Sequence, residues 1–173
     1  MKGMCSDQIM GEGKVLDTSA LISWPLSELR GSMIVSSQVG ELEKYSPMRA
    51  DIIHSLGLVI SEPSRESLTT ISKLAMETGD MTGISPTDLS LVALAHCRGA
   101  TLVTDDYRMQ NLAENLGMNW RGAVMNGISE TWRWELKCIG CGTIFDSPDS
   151  PSSNKRELKK CENCGSALRM RKK

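Results

Sequence analysis

"SPTDLSLVALAHCRGATLVTDDYRMQNLA", residues 85–113, decides the fold. Ser85 before Pro86 is a helix start, and Gly99 is the matching stop. "TLVT" then reads as a short buried strand, after which Met109, Leu112, Ala113 and Leu116 recur at helical spacing up to a stop at Gly117. A helix, a strand and a second helix thus follow one another with little between them. Asp105 and Asp106 stand side by side where the strand should end, although one acidic cap would serve the second helix.

The same alternation extends upstream. "KVLD" (14–17), "SMIVS" (32–36) and "LVIS" (58–61) read as strands; "SSQVGELEKY" (36–45), "SPMRADIIHSLG" (46–57) and "PSRESLTTISKLAMETG" (63–79) read as helices. Repeated strand and helix units of this length predict an α/β domain with a mostly parallel central sheet flanked by helices. Chemistry in such sheets collects at the carboxyl ends of the strands. Asp17 ends the first strand and the Asp105–Asp106 pair ends "TLVT", while Glu41 and Asp88 each fall one turn into a helix.

Each acid has a structural explanation. Asp17 and one of the pair can cap helices, Asp88 completes a Ser-x-x-Asp box, and Glu41 can pair with Lys44. Together, carboxylates converging on one mouth repel unless cations lie between them. His54 and His96, on apolar helix faces, are expected in the core, so the donors are all oxygen and suit Mg²⁺ or Mn²⁺. One or two such ions, a pair standing about 4 Å apart, can activate water and stabilise the leaving oxygen of a phosphodiester. Glu41 is preferred to Glu43, which lies roughly 200° around the same helix.

Four of the six cysteines form two knuckles, "CIGCG" and "CENCG", giving Cys138, Cys141, Cys161 and Cys164. Two C-x-x-C turns at this separation complete a tetrahedral thiolate site of the structural zinc type. Iron suits the same donors, and a disulfide reading is disfavoured in a reducing compartment. "TWRWELK", "TIF" and "ALRMR" outline the three strands of a small zinc ribbon. Such a closed site leaves no position for substrate, so catalysis is expected at the carboxylates. Cys97 is read as a small buried hydrophobe.

Net charge is −1, but residues 137–173 carry nine Lys or Arg against four acids, leaving an acidic body and a basic tail. Trp132 and Trp134 beside Arg133, Lys155, Arg156, Lys159, Lys160, Arg169 and Arg171 can bind single-stranded RNA by stacking and phosphate contacts, or the tryptophans can form the ribbon's core. With one Phe and two Tyr against 11 Met, the main core must rest on aliphatic side chains and methionine. No apolar run approaches the roughly 18 residues of a membrane span, and the first residues lack a signal-peptide centre, so a cytoplasmic protein with no membrane partner and no small-molecule substrate is expected. Residues 1–13 are set aside as a disordered leader, 14–125 as the nuclease-like domain, 126–136 as linker and first ribbon strand, and 137–173 as the Cys₄ ribbon with its basic tail.

"VLDTSALI", the helix bearing "VGEL", "SPTDLSLVALA" and "LVTDDYRMQNLA" resemble, in order and spacing, the four acidic motifs of PIN-domain nucleases. Joined to the ribbon, "TDDYRMQN" is similar to the archaeal Nob (Nin-one-binding) endonuclease family, over nearly the whole of residues 14–170. That resemblance implies a metal-dependent endoribonuclease trimming the 3′ end of precursor small-subunit rRNA, with the assembling small subunit and its assembly factors as partners. It also implies that Asp17, Glu41, Asp88, Asp105 and Asp106 are catalytic, Asp106 matching the acid common to PIN domains and Asp105 an extra acid of the subfamily. Two other readings stay open: a toxin-type PIN ribonuclease, and a non-catalytic zinc-ribbon adaptor that binds RNA in ribosome assembly.

Overall fold

The computed structural model describes residues 13–53, 55–125, 127–145 and 160–173. Cys5, His54, Lys155, Arg156, Lys159 and the leader through residue 12 lie outside them.

β1 (Lys14–Leu16) leads through α1 (Thr18–Ser23) and α2 (Leu26–Leu29) to β2 (Met33–Ile34). α3 (Ser37–Tyr45) and α4 (Pro47–Ile53) precede β3 (Val59–Ile60), and α5 (Arg65–Thr78) runs into a 3-10 turn at Asp80–Gly83. α6 (Pro86–Arg98), β4 (Thr101–Val103), α7 (Tyr107–Asn115) and β5 (Trp120–Arg121) complete the first sheet. Its order is β3-β2-β1-β4-β5, with every pairing parallel.

Helix ends follow the local chemistry. Ser85 and Asp88 form a reciprocal capping box with Pro86 in the first turn, and Gly99, at φ 61°, closes α6 in the left-handed conformation that favours glycine. Ser64 caps α5 through the Ser67 amide, and Asp106 caps α7 through the Arg108 amide.

Alternation along the strands divides the core into two layers. Val15 and Leu102 face one side with Ile71, Leu91, Leu94, Met109 and Leu112, whereas Leu16 and Val103 face the other with Leu21, Leu29, Ile34 and Leu42. Met81 and Met109 are fully buried, so methionine does fill the aromatic-poor core. Cys97 packs half-buried against the first layer. His96 departs from the core position expected of it: its residue is exposed, and Nδ1 bonds the Ser67 hydroxyl at 2.8 Å. The last turn of α6 swings that side chain past the buried stripe.

The second sheet is the ribbon: β6 (Trp134–Cys138) between β7 (Ile144–Phe145) and β8 (Leu168–Lys172), all antiparallel. Trp132 precedes β6 instead of lying within it, because its backbone is already bound elsewhere. Asn111 of α7 takes the Trp132 amide on Oδ1 at 2.6 Å and donates Nδ2 to the Trp132 carbonyl at 2.7 Å. Gln110 acts likewise, accepting from the Ile128 amide while donating to the Thr104 carbonyl. The chain entering the ribbon is therefore laid along α7 and held by two buried side-chain amides. Among the described residues no helix is long and apolar enough to cross a membrane.

Candidate functional site

β1 and β4 are neighbours in register, Leu16 opposite Val103, so Asp17 and Thr104 emerge together at the carboxyl edge of the sheet. Thr104 Oγ1 donates to Asp17 Oδ2 at 2.9 Å and accepts the Asp106 amide at 3.0 Å. One hydroxyl thus fixes an acid from each strand end. Ser19 Oγ donates to the same Asp17 oxygen, and the Thr18 amide holds the other. Burial nevertheless dominates and pushes the Asp17 carboxyl up to about 6, with the Asp88 charge adding to the rise.

Glu41 and Asp88 reach the same edge from α3 and α6. Thr18 Oγ1 donates to Glu41 Oε2 at 3.3 Å, and no ion pair of Glu41 with Lys44 forms among the described residues. Glu41 is half-buried while Glu43 is exposed. The Asp88 carboxyl is raised by burial and further by the charges of Asp106 and Glu41. Asp17, Glu41, Asp88 and Asp106 are thus electrostatic neighbours. Among the described residues no three of them bring carboxylate oxygens within 4.8 Å of one another, so they stand further apart than the four sulfurs of the ribbon.

The Asp105–Asp106 pair divides its labour. Asp105 turns away from the mouth and accepts the amides of Ala123, Val124 and Met125 at 2.8, 3.1 and 3.1 Å, gathering the chain after β5. A side chain at Gly122 would collide with the Met125 carbonyl, so that turn requires glycine. Asp106 has one oxygen on the Arg108 amide as helix cap and stays beside the other acids.

Two side chains were not singled out from the sequence. Asp80 is fully buried, with Oδ2 bonded by Thr78 and Asn111 at 2.7 Å each, and Oδ1 facing Arg108 at 3.7 Å. That ion pair is too long for a hydrogen bond, so burial outweighs it and raises the Asp80 carboxyl to about 6. Arg108 lies over the Trp134 ring, 5.3 Å from its centroid. "TGDMTG" carries no helical or strand period, and only an aspartate without a capping position hinted at Asp80.

In the ribbon, the four Sγ atoms of Cys138, Cys141, Cys161 and Cys164 all lie within 4.8 Å of one another, with Cys138 to Cys164 at 3.4 Å and Cys141 to Cys161 at 3.5 Å. These separations exceed a disulfide bond and approach the roughly 3.8 Å between sulfurs of a tetrahedral zinc site. The Gly140 and Cys141 amides point at the Cys138 sulfur. The Ser166 hydroxyl and amide hold Cys164 down to about 6, while burial pushes Cys161 up to about 11. This cluster can bind a metal ion of the zinc type, and it is closed.

Among the basic residues, Arg171 pairs with Glu135 and Lys172 with Glu130, whereas Arg133, Lys160 and Arg169 are exposed. Trp132 contacts Trp134 edge to face at 5.7 Å and Tyr107 at 5.9 Å.

A parallel sheet in this order, with acids at its carboxyl edge, defines a PIN domain, and residues 15–97 match the family model "PIN domain of ribonuclease". The chain is 33% identical to "Endoribonuclease Nob1" of Methanothermobacter thermautotrophicus over 168 residues, 94% of each chain. It is 34% identical to the protein of that name from Pyrococcus abyssi, over 90% of this chain and 91% of the relative. It also resembles "Ribonuclease VapC1" of Thermoplasma acidophilum, at 36% identity over 87% of this chain and 74% of the relative. The chain belongs to the Nob1 endoribonuclease family.

Proposed function

We propose that the protein is a divalent-metal-dependent endoribonuclease that matures the 3′ end of precursor small-subunit rRNA. The observation that carries the catalytic part is the meeting of Asp17, Glu41, Asp88 and Asp106 at one strand edge, with Asp17 and Asp106 joined through Thr104. The family supports the rRNA substrate, and the names of all three relatives describe a ribonuclease.

The four carboxylates, all oxygen donors, fit Mg²⁺ or Mn²⁺. Such ions supply, when bound, the positive charge that admits a phosphodiester and activates the attacking water. Thr104 and Ser19 orient Asp17 toward the mouth, and Thr18 does the same for Glu41. Asp106, anchored as a cap, holds its free oxygen over the sheet edge. Water attacks phosphorus in line, the bond to the 3′ oxygen breaks, and that oxygen takes up a proton, leaving 5′-phosphate and 3′-hydroxyl ends. Asp105 acts as a brace in this reading. The cysteines hold structural Zn²⁺, and the exposed Arg133, Lys160 and Arg169, with the basic residues Lys155, Arg156 and Lys159, contact the RNA backbone.

A toxin-type ribonuclease is the weaker reading, because two buried side-chain amides bind the ribbon entrance tightly to the PIN domain and a compact toxin needs no such module.

The test is cleavage of a labelled RNA spanning the precursor 3′ end, with Mn²⁺ or chelator, by wild type and Asp17→Asn. One cut that requires both metal and Asp17 is expected. Cutting of unrelated RNAs at equal rate favours the toxin reading; intact RNA binding without cutting favours the adaptor. Affinity should fall steeply with salt if the ribbon binds phosphates.

A further inference from the structure

Beside Asp106 lies a cleft of about 350 Å³, lined by Asp105, Asp106, Tyr107, Arg108, Trp132 and Trp134. One wall is the first turn of α7 and the other is the chain entering the ribbon. Three rings form a continuous aromatic corner, with Tyr107 tilted 49° to Trp132 and Trp132 nearly perpendicular to Trp134. Its outer ring, Tyr107, is 41% exposed at the head of α7, one residue from Asp106. Arg108 backs Trp134 and Lys172 sits over Trp132 at 5.0 Å, so two rings have cationic partners.

The aromatic corner is not required by either hydrophobic core: Tyr107, Trp132 and Trp134 belong to neither. It is also rigid, since Asn111 binds the Trp132 backbone at both its amide and its carbonyl. A rigid ring surface with an exposed face, a cleft of ligand size, and carboxylates on the near wall favour one kind of occupant. Asp105, Asp106 and Arg108 mix both signs of charge in the lining, so the ring faces and not an ionic contact select the occupant. A neutral base stacks on the rings and leaves its phosphates to lie outward, one of them toward the acids of the sheet edge.

We propose that this cleft seats one unpaired base of the RNA strand, stacked on Tyr107 and Trp132, and thereby places the adjoining phosphodiester at the carboxylates. The inference rests on the endoribonuclease reading and adds Tyr107 and Arg108 to it: Tyr107 stacks, and Arg108 fixes the Trp134 wall. The substrate is therefore single-stranded at the nucleotide in the cleft, because a base inside a duplex has both faces covered by its stacked neighbours and must leave the stack to meet the rings.

The test separates this site from the nuclease reading. Binding of a fluorescein-labelled single-stranded RNA spanning the precursor 3′ end is measured by anisotropy with the full-length Asp17→Asn protein, which holds substrate without cutting it. A series of the same RNA carries one abasic nucleotide at each position in turn. The expected result is a loss of about 10-fold for one abasic position beside the cut, and a similar loss for Tyr107→Ala, on the scale of one base–aromatic stack. Tyr107→Phe should restore binding, and the abasic RNA with Tyr107→Ala should lose no more than either change alone. Because the abasic series alters only the RNA, a misfolded variant cannot imitate it. If no abasic position loses affinity in a Tyr107-dependent way while wild type still cuts, the base site is overturned and the nuclease stands; a peptide-docking corner would give that same result. If the RNA is neither bound nor cut, both fall.

Discussion

The molecule holds two clusters of metal-binding chemistry built on opposite plans. In the ribbon, four sulfurs from two short turns lie within 4.8 Å of one another, each turn being local in sequence. At the sheet edge, four carboxylates arrive from a strand end, two helix starts and the middle of α3 across 90 residues, and stand further apart. The cysteines are gathered by local turns and closed; the acids are held by hydroxyls and caps, Asp17 and Asp106 by the same one, and stand apart. A closed thiolate site stabilises a fold, whereas an open oxygen site leaves room for a substrate.

That contrast can be broken in order of expected effect. Stripping metal from the four cysteines with a strong chelator should unfold the ribbon outright if the ion is the zinc proposed above, since structural zinc contributes on the order of 10 kcal/mol or more in small domains. Tryptophan fluorescence and the near-ultraviolet circular dichroism report it, and a ribbon that keeps its signal without metal would show that the turns fold unaided. At the open site, Asp106→Asn should lower the cleavage rate about 1000-fold and raise the Mn²⁺ concentration for half-maximal activity, the scale of losing a principal electrostatic contact. Asp105→Asn should instead cost stability, about 2–3 kcal/mol from weakening three charge-assisted hydrogen bonds, while its Mn²⁺ requirement stays near wild type. A metal requirement that moved equally in both variants would make Asp105 a metal ligand alongside Asp106.

A smaller effect concerns Asp80. Its folded carboxyl lies near 6, above the usual 3.8, so the folded state binds the proton more tightly than the unfolded one. Its contribution is therefore fully present below about pH 4 and declines as pH rises to about 6, by about 2 kcal/mol. Urea midpoints of wild type and Asp80→Asn should converge or cross in that interval, with wild type losing ground toward neutral pH; a constant difference would refute the buried charge. Smallest is Thr104→Val, which removes the hydroxyl shared by Asp17 and Asp106 and should cost about 10-fold in rate with little change in stability.

Much of this architecture was legible because its signals are local. Ser85, Pro86 and Gly99 bracket α6 in the sequence as they do in the structure, and strand ends in a parallel sheet fix where Asp17 and Thr104 emerge. The two-knuckle pattern needed no fold at all. Less accessible were α1 and α2, too short for a period, and β5, whose two residues are a strand only because β4 is already in place. The roles of Asp105 and Asp106 were inseparable in the sequence, since adjacent identical residues differ only in where the backbone turns them. Asp80 and Arg108 were missed because their pairing brings residues together across the fold. His96 was misplaced because a helical stripe ends gradually, and its last turn already faces outward.

Asn111 serves two parts of the protein with one amide group. Its Nδ2 donates to Asp80 inside the PIN domain and to Trp132 at the ribbon's threshold, and its Oδ1 receives the Trp132 amide. A chain cut before the ribbon would leave this residue, and with it a buried aspartate, facing water through a gap where a backbone used to be. The modules are therefore not a catalytic head with a detachable handle. They share a keystone, and where the ribbon's first strand begins relative to the sheet edge depends on the reach of Asn111 and its neighbour Gln110.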